Sequence, residues 1–174
     1  PNKKEKDLPA LLVGHGVPNF PAITPTQVEE NMPILLEELN KLFDDLENKL
    51  ENKINNNYTL NWENVMTPIY QISDRLRWSW GVVCHLNSVC NSNELRNAHA
   101  KQQSDVIRFS NKIGQSKILY KAVSSIKDNY RDELNDTQKR ILESELLSMS
   151  QRGVGLSGKE QETFNSNSER LAHL

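Results

Sequence analysis

The sequence has little cysteine and no long apolar run, and both absences exclude classes of protein. Cys84 and Cys90 are too few for a disulfide framework and do not form a C-x-x-C redox motif, so we expect a cytoplasmic location. No apolar run is long enough to span a bilayer, and the first residues lack the apolar core of a secretory signal. We therefore expect no membrane partner.

Charge of one sign is not in excess either. The 174 residues contain 21 Lys and Arg and 23 Asp and Glu, which gives a net charge of -2. Because the two signs are interspersed and form no basic face, we expect no nucleic-acid partner. The mean hydropathy of -0.67 suits helices that each bury one apolar stripe, and the length suffices for one domain with a core.

Apolar residues recur at spacings of three and four, which predicts helices. Before the first of them, residues 1–23 hold several prolines and predict an extended or irregular segment, with anchors at Leu11, Leu12, Val13 and Phe20. The first helix should begin at Thr24, because Pro25 and Gln27 follow it as a first-turn proline and a capping-box partner. The stripe of this helix comprises Val28, Met32, Leu35, Leu39, Leu42, Leu46 and Leu50.

A second long helix is predicted after the polar run at residues 55–57. Pro68 should either bend this helix or mark its true start, because proline removes one backbone donor. We predict a turn over residues 87–93. The apolar stripe comprises Trp62, Val65, Ile69, Ile72, Leu76 and Val83.

Three further helices should follow in the second half of the chain. The third should end at Gly114, the fourth should begin near Ser116, and the fifth near Asn135 or Asp136, with Gln138 completing a capping box. The residues expected to be buried are Leu95, Ala98, Val106, Phe109 and Ile113 in the third helix, Leu119, Val123, Ile126 and Tyr130 in the fourth, and Ile141, Leu142, Leu146 and Met149 in the fifth.

A last helix should follow a glycine cap at Gly153. It should open with a capping box over residues 157–160 and carry Phe164 and Leu171 on one face. No stop signal follows it before Leu174, and the chain begins without Met, so we expect a piece of a larger protein whose last helix continues.

The predicted fold class is all-α. No alternation typical of strands is present, and no internal repeat recurs at a fixed period. We expect a bundle of about five to six antiparallel helices preceded by the extended Pro-rich segment.

Residues 153–158, GVGLSG, match the dinucleotide-binding pattern G-x-G-x-x-G. That pattern binds a pyrophosphate only between a strand and a helix, and here a helix precedes it. A helix-to-helix turn with a glycine cap is therefore favoured.

The four histidines, His15, His85, His99 and His173, lack the spacing of a metal site on a helix, and no cysteine supplies it. His85 should instead help to position the turn after the second helix, and His15 should be an exposed loop residue. Trp62, Trp78, Trp80 and Tyr70 are aromatic candidates for a ligand wall, but packing between helices is favoured for them. The carboxylates Glu37, Glu38, Asp44 and Asp45 are interpreted as solvated surface.

The order of several short motifs carries a family resemblance from about Val17 to Leu174. The motifs are Pro18-Asn19-Phe20, Ile23-Thr24-Pro25, Trp62-Glu63-Asn64, residues 85–96 (HLNSVCNSNELR), Leu119-Tyr120-Lys121-Ala122 and Gly153-Val154-Gly155-Leu156. Together they resemble the N-terminal helical region of the thimet oligopeptidase / oligopeptidase A family of zinc metallopeptidases.

The resemblance implies a role in a large, almost wholly helical enzyme that cuts short peptides in a deep channel. In that family a His-Glu-x-x-His helix and a further Glu hold the zinc, and the Glu within the motif is the general base. This sequence contains no such motif, so no catalytic, cofactor-binding or metal-binding residue is carried over. The resemblance implies zinc only in the full-length parent, where the partners are the catalytic domain and short peptides.

The expected organisation is an extended segment over residues 1–23 and a helical N-terminal domain over residues 24–174. By resemblance, that domain is not catalytic alone and forms part of the substrate-channel wall. Two other interpretations stay open: a free-standing helical scaffold or adaptor for a protein partner, and a regulatory relative that has lost its catalytic half.

Overall fold

The computed structural model describes residues 8–129 and 133–172, which form six α-helices and no strand. The helices are α1 (Pro25–Asn55), α2 (Trp62–Val89), α3 (Asn93–Gly114), α4 (Lys117–Asn129), α5 (Asp136–Gln151) and α6 (Gly158–Ala172). The predicted all-α class is confirmed. Residues 8–23 take the irregular form of the two that were expected, with 3-10 turns at Ala10–Leu12 and Phe20–Ala22. Residues 1–7 of the predicted segment lie outside the described residues.

The irregular segment is attached to the helices mainly through Leu11. This side chain is fully buried, and its carbonyl oxygen accepts a hydrogen bond of 2.7 Å from the hydroxyl of Ser79 on α2. The Trp78 indole donates to the carbonyl of Gly16 at 3.0 Å. Leu12 and Val13 are half-buried, whereas Phe20 is 38% exposed.

The predicted start of α1 is confirmed. The Thr24 hydroxyl accepts a hydrogen bond from the Gln27 amide, and Pro25 occupies the first turn, where its missing N–H is harmless. The prediction of one buried stripe is wrong at Leu42, which is 40% exposed, while the adjacent Phe43 is fully buried. Phe43 is buried in place of Leu42 because its ring packs edge-to-face on Phe109 of α3, with the ring centroids 6.4 Å apart.

Helix α2 begins at Trp62, so Pro68 lies inside it and does not mark its start. A reciprocal capping box between Asn61 and Asn64 fixes this beginning. The predicted turn over residues 87–93 is too long, because α2 continues to Val89 and only residues 90–92 connect it to α3. Burial of Leu86 supports the added turn.

The first three helices alternate in direction, and α6 runs antiparallel to α3. Two polar pairs orient each of two contacts: Glu29–Lys101 and Asp44–Lys112 for α1 and α3, and Arg108–Glu169 and Gln103–Ala172 for α3 and α6. For α1 and α2, the short connection from Asn55 to Trp62 and the Glu38–Arg75 pair give the antiparallel direction. Helix α1 contacts both α2 and α3, and its most extensive contact is with α3.

Helix α5 is attached differently, because its main neighbour is α4 alone. Its predicted capping box is present: the Asn135 side chain accepts from the Gln138 amide at 2.9 Å, and the Gln138 side chain accepts from the Asn135 amide at 3.0 Å. Leu142 and Met149 are its buried residues. Since α5 packs little on α2 and α3, a space remains between them.

The other burial predictions for the last four helices hold in most places. Ile113, Ile141, Leu146 and Phe164 are half-buried rather than buried, and Leu171 is 69% exposed. Tyr130, His173 and Leu174 lie outside the described residues, as does any continuation of the last helix. The capping box over residues 157–160 stays a prediction.

Candidate functional site

The space between α5 and the rest of the bundle is a cavity of about 420 Å³. Volumes of this size are typical of small-ligand pockets. Its floor is apolar and includes Ile69, Leu76, Phe109, Leu119, Val123 and Met149. Its polar lining residues are Ser73, Arg77, Ser110, Glu145, Ser148 and Arg152. The arrangement is an apolar chamber with a few charged and hydroxyl groups around it.

Packing positions Arg152, the residue after the last turn of α5. Its side chain lies over Gly114 of α3, where an added Cβ would come within 2.5 Å of the Arg152 Cδ. The Arg152 carbonyl accepts a hydrogen bond of 2.9 Å from the Gln115 side chain. Its guanidinium reaches the Ser110 carbonyl at 3.5 Å. Any side chain at position 114 would displace this arginine.

Gln115 is a functional candidate that the sequence did not reveal. It is buried at the junction of α3 and α4, and its Nε2 also donates to Asn165 of α6 at 2.8 Å. Its Oε1 accepts from Gln161 at 2.9 Å. One amide therefore links α5 and α6 to the first helices. No local pattern could have indicated this, because the partners lie far away in the sequence.

His99, Trp80 and Cys84 form a second cluster, between α2 and α3. The His99 ring stacks on Trp80 with centroids 4.6 Å apart, and its Nε2 lies 3.6 Å from the Cys84 sulfur. Burial lowers the pKa of His99 and raises the pKa of the Cys84 thiol. Both shifts favour the neutral forms, so the pair is not arranged as a thiolate nucleophile.

The other histidines lie apart from this cluster. His85 is exposed on α2, and the contact that the structure shows is between its ring and Phe20, with centroids 5.6 Å apart. His15 is exposed in the irregular segment, as predicted. Among residues 8–129 and 133–172, no three His, Cys, Asp or Glu side chains gather where they could hold a metal ion.

The aromatic side chains serve mainly in packing, as the sequence indicated. The rings of Trp62 and Tyr70 on α2 have centroids 6.4 Å apart, and both side chains are half-buried. Trp80 is the one tryptophan that lines the cavity. The predicted turn at residues 153–158 is confirmed, since it connects α5 to α6 and Gly153 has a φ of +83°.

The acidic runs are exposed, as predicted, and two of their carboxylates also pair with other helices. Glu38 forms a bidentate pair with Arg75 of α2, at 2.8 and 3.0 Å. Asp44 pairs with Lys112 of α3 at 2.5 Å. Both carboxylates therefore connect helices, although each remains partly exposed.

Comparison with known proteins shows the family to which this helical arrangement belongs. Residues 32–161, most of the chain, match the family described as "Neurolysin/Thimet oligopeptidase, N-terminal domain". The chain belongs to this family. The resemblance noted in the sequence is thereby confirmed.

Several relatives in this family are oligopeptidases A. Oligopeptidase A of Haemophilus influenzae is 32% identical over 165 residues, which cover 94% of this chain and 23% of that protein. A probable cytosolic oligopeptidase A and an organellar oligopeptidase A, chloroplastic/mitochondrial, both of Arabidopsis thaliana, are each 27% identical over 94% of this chain. The matched part covers 22% and 20% of those two proteins. The chain thus spans less than a quarter of the length of these relatives.

A helix that spans a bilayer must be both long and apolar. In the described part of the chain, no helix combines the length and the apolar character needed to cross a membrane.

Proposed function

We propose that this chain is the non-catalytic N-terminal domain of a zinc-dependent oligopeptidase and forms part of the wall of its substrate channel. The observation that supports this is the family match over residues 32–161, joined to relatives named oligopeptidase A. The proposal divides the chain into an N-terminal segment, residues 1–23, and the helical domain, residues 24–174. The partners are the catalytic domain of the parent and the short peptides that it cleaves.

The zinc is proposed to belong to the parent and not to this chain. The described residues bring no three metal ligands together, so they do not fit a zinc site. The contribution of this domain is therefore architectural: a wall of packed helices that narrows access and excludes folded proteins. The proposed location is the cytoplasm, which agrees with the sparse cysteines and with the cytosolic relative.

The test begins with the reading frame that encodes the chain. It should continue past residue 174 and encode a His-Glu-x-x-His motif. The purified full-length protein should cleave a quenched fluorescent peptide and lose this activity when a zinc chelator is added. It should leave folded proteins intact. Replacing the motif Glu by Gln is the matched control, because it should abolish turnover without unfolding the protein.

Two results would contradict the proposal. The first is a reading frame that stops after Leu174, which would favour a free-standing scaffold or adaptor. The second is full-length activity that survives chelation.

A further inference from the structure

A second cleft lies where the end of α3 and the start of α4 meet α1 and α6. Its volume is about 630 Å³, which is within the range of small-ligand pockets. Among the described residues that line it, only Ile118 is apolar, and the others carry charges, amides or a hydroxyl. A ligand that enters this cleft must therefore be polar.

Helix α4 begins in this cleft with two backbone donors that lack an acceptor. The Ser116 hydroxyl accepts from the Leu119 amide at 3.0 Å, and the Ser116 carbonyl accepts from the Tyr120 amide. Within the described part of the chain, nothing accepts from the amides of Lys117 and Ile118, two residues that line the cleft. Free N–H groups at a helix N-terminus favour an anion, and the first turn of α4 contains no acidic residue.

A buried side-chain donor is the second feature that points to a ligand. Asn111 of α3 lines the cleft and is only 9% exposed, and its Nδ2 has no acceptor among the described residues. Buried donors in native proteins nearly always have a partner, so this one is available to a ligand. The Gln115 amide donates to the Asn111 carbonyl at 2.8 Å, which places Asn111 one helical turn before the start of α4.

The cleft also contains a cation without a partner. Two of its three cations already have carboxylate partners, at 3.2 Å for Arg108–Glu169 and 2.5 Å for Lys112–Asp44. The third, Lys117, is exposed and forms no ion pair within residues 8–129 and 133–172. Its ammonium is therefore free to balance the charge of a bound anion.

Glu47 of α1 is the group in the cleft that opposes an anion. Its carboxylate accepts a hydrogen bond from the Ser116 hydroxyl. It does not accept from the Lys117 or Ile118 amide, so it leaves both donors unused. Its charge should weaken the binding of an anion without blocking the site, and this provides a direct test.

We propose that this cleft binds the phosphate group of a small polar molecule. The phosphate oxygens accept from the amides of Lys117 and Ile118 and from the Asn111 Nδ2, and the Lys117 ammonium balances their charge. A phosphate group offers at least three acceptor oxygens, whereas a carboxylate offers two, so phosphate better matches this set of donors. The volume of the cleft leaves room for the molecule to which the phosphate is attached.

The experiment titrates the 174-residue chain with glycerol 3-phosphate at neutral pH and constant salt, followed by NMR of labelled protein. Inorganic phosphate and acetate are titrated in parallel. We expect saturation with a Kd of about 1 mM, the largest shifts at the amides of residues 117 and 118, and about tenfold weaker binding of acetate. Tighter binding of the ester than of inorganic phosphate would identify a phosphorylated small molecule as the source, whereas equal binding would identify free phosphate.

Two surface variants test the charges. Lys117→Gln should weaken glycerol 3-phosphate about tenfold. Lys121→Gln is the matched control, because it removes an exposed cation one turn later on α4, outside the cleft, and should leave the affinity unchanged. Glu47→Gln should strengthen binding severalfold, because it removes a like charge and keeps an oxygen for the Ser116 hydroxyl.

A third variant tests the buried amide. Asn111→Asp replaces the donor by a charged acceptor of the same shape and should abolish saturable binding. Thermal melting checks that each variant folds, and Lys117→Gln with Glu47→Gln suffices if Asn111→Asp does not. The titrations use the chain alone and do not depend on the function proposed above.

Four results would overturn the proposal. Shifts that stay linear up to about 10 mM would show that there is no site. Equal weakening by Lys117→Gln and Lys121→Gln would show only diffuse attraction to a cationic surface. Unchanged or weaker binding in Glu47→Gln, or unchanged binding in a folded Asn111→Asp, would place the anion elsewhere. Acetate binding as tight as phosphate binding would rule out a phosphate site.

Discussion

At the residue scale, Leu39 shows what the contact between α1 and its neighbours contributes to stability. Its side chain is fully buried. Leu39→Ala should lower the free energy of unfolding by about 2–5 kcal/mol, because it removes buried methyl groups and leaves a cavity. Urea denaturation measures this loss.

The control for that variant must be chosen from the structure. Glu37→Ala is suitable, since Glu37 is exposed and should change the free energy by about 0.5 kcal/mol or less. Glu38, its neighbour, is unsuitable because it pairs with Arg75. Equal shifts for Leu39→Ala and Glu37→Ala would contradict the assigned face of α1.

The Glu38–Arg75 pair predicts a pH dependence. The hydrogen bond from Arg75 lowers the pKa of Glu38; partial burial opposes this, and the charge of Arg75 adds to the lowering. A lowered carboxyl pKa stabilises the fold fully above the unfolded value of about 4.3, and this contribution is lost as pH falls through the folded value. Because both side chains are partly exposed, the coupling should be only about 0.2–1 kcal/mol.

A double-mutant cycle measures that coupling. Urea denaturation compares Glu38→Gln, Arg75→Gln and the double variant with the unaltered chain. It is carried out at neutral pH and at several pH values below about 4.3. The coupling energy should be present at neutral pH and shrink steadily on acidification. A coupling that stays constant into strong acid would show that the Glu38 charge is not its source.

At the scale of elements, the end of α5 depends on one glycine. The Gly153 amide donates to Ser150 and the Val154 amide donates to Met149, which is the hydrogen-bond pattern of a Schellman cap. Gly153 has a positive φ of 83°, and an added Cβ would lie 2.7 Å from Leu156. Gly153→Ala should therefore destabilise the protein by at least about 1 kcal/mol.

Gly155 provides a control two residues away in the same turn. An added Cβ there meets no atom within 4 Å, so Gly155→Ala should change stability by about 0.5 kcal/mol or less. Thermal melting of the two variants compares them directly. A larger loss for Gly155→Ala would show that the turn is not held as described.

At the scale of the whole molecule, the chain alone should bind no stoichiometric zinc and cleave no peptide. The reason is that a zinc site needs ligands at a spacing that the sequence lacks. Metal analysis after dialysis and a quenched fluorescent peptide assay measure both properties. One retained equivalent of zinc, or turnover above a metal-free control, would disprove this expectation.

The sequence by itself determined where most helices begin and end, and it indicated the family. Thr24, Asn135 with Gln138, and Gly153 act on backbone groups within a few residues, so local sequence specifies them. Apolar spacing likewise predicted most of the buried face of every long helix, because helical geometry repeats along the chain. The boundary missed at Val89 depended instead on burial of Leu86.

Only the tertiary structure decided which side chains meet. Leu42 and Phe43 are adjacent apolar residues, and the position of α3 selected Phe43 for the core. Cys84 and His99 come together because α2 and α3 run antiparallel. The cavity exists because α5 packs chiefly on α4, and it brings Arg152 to Gly114 and Ser110. Such contacts depend on the relative placement of whole helices, which the spacing within each helix does not contain.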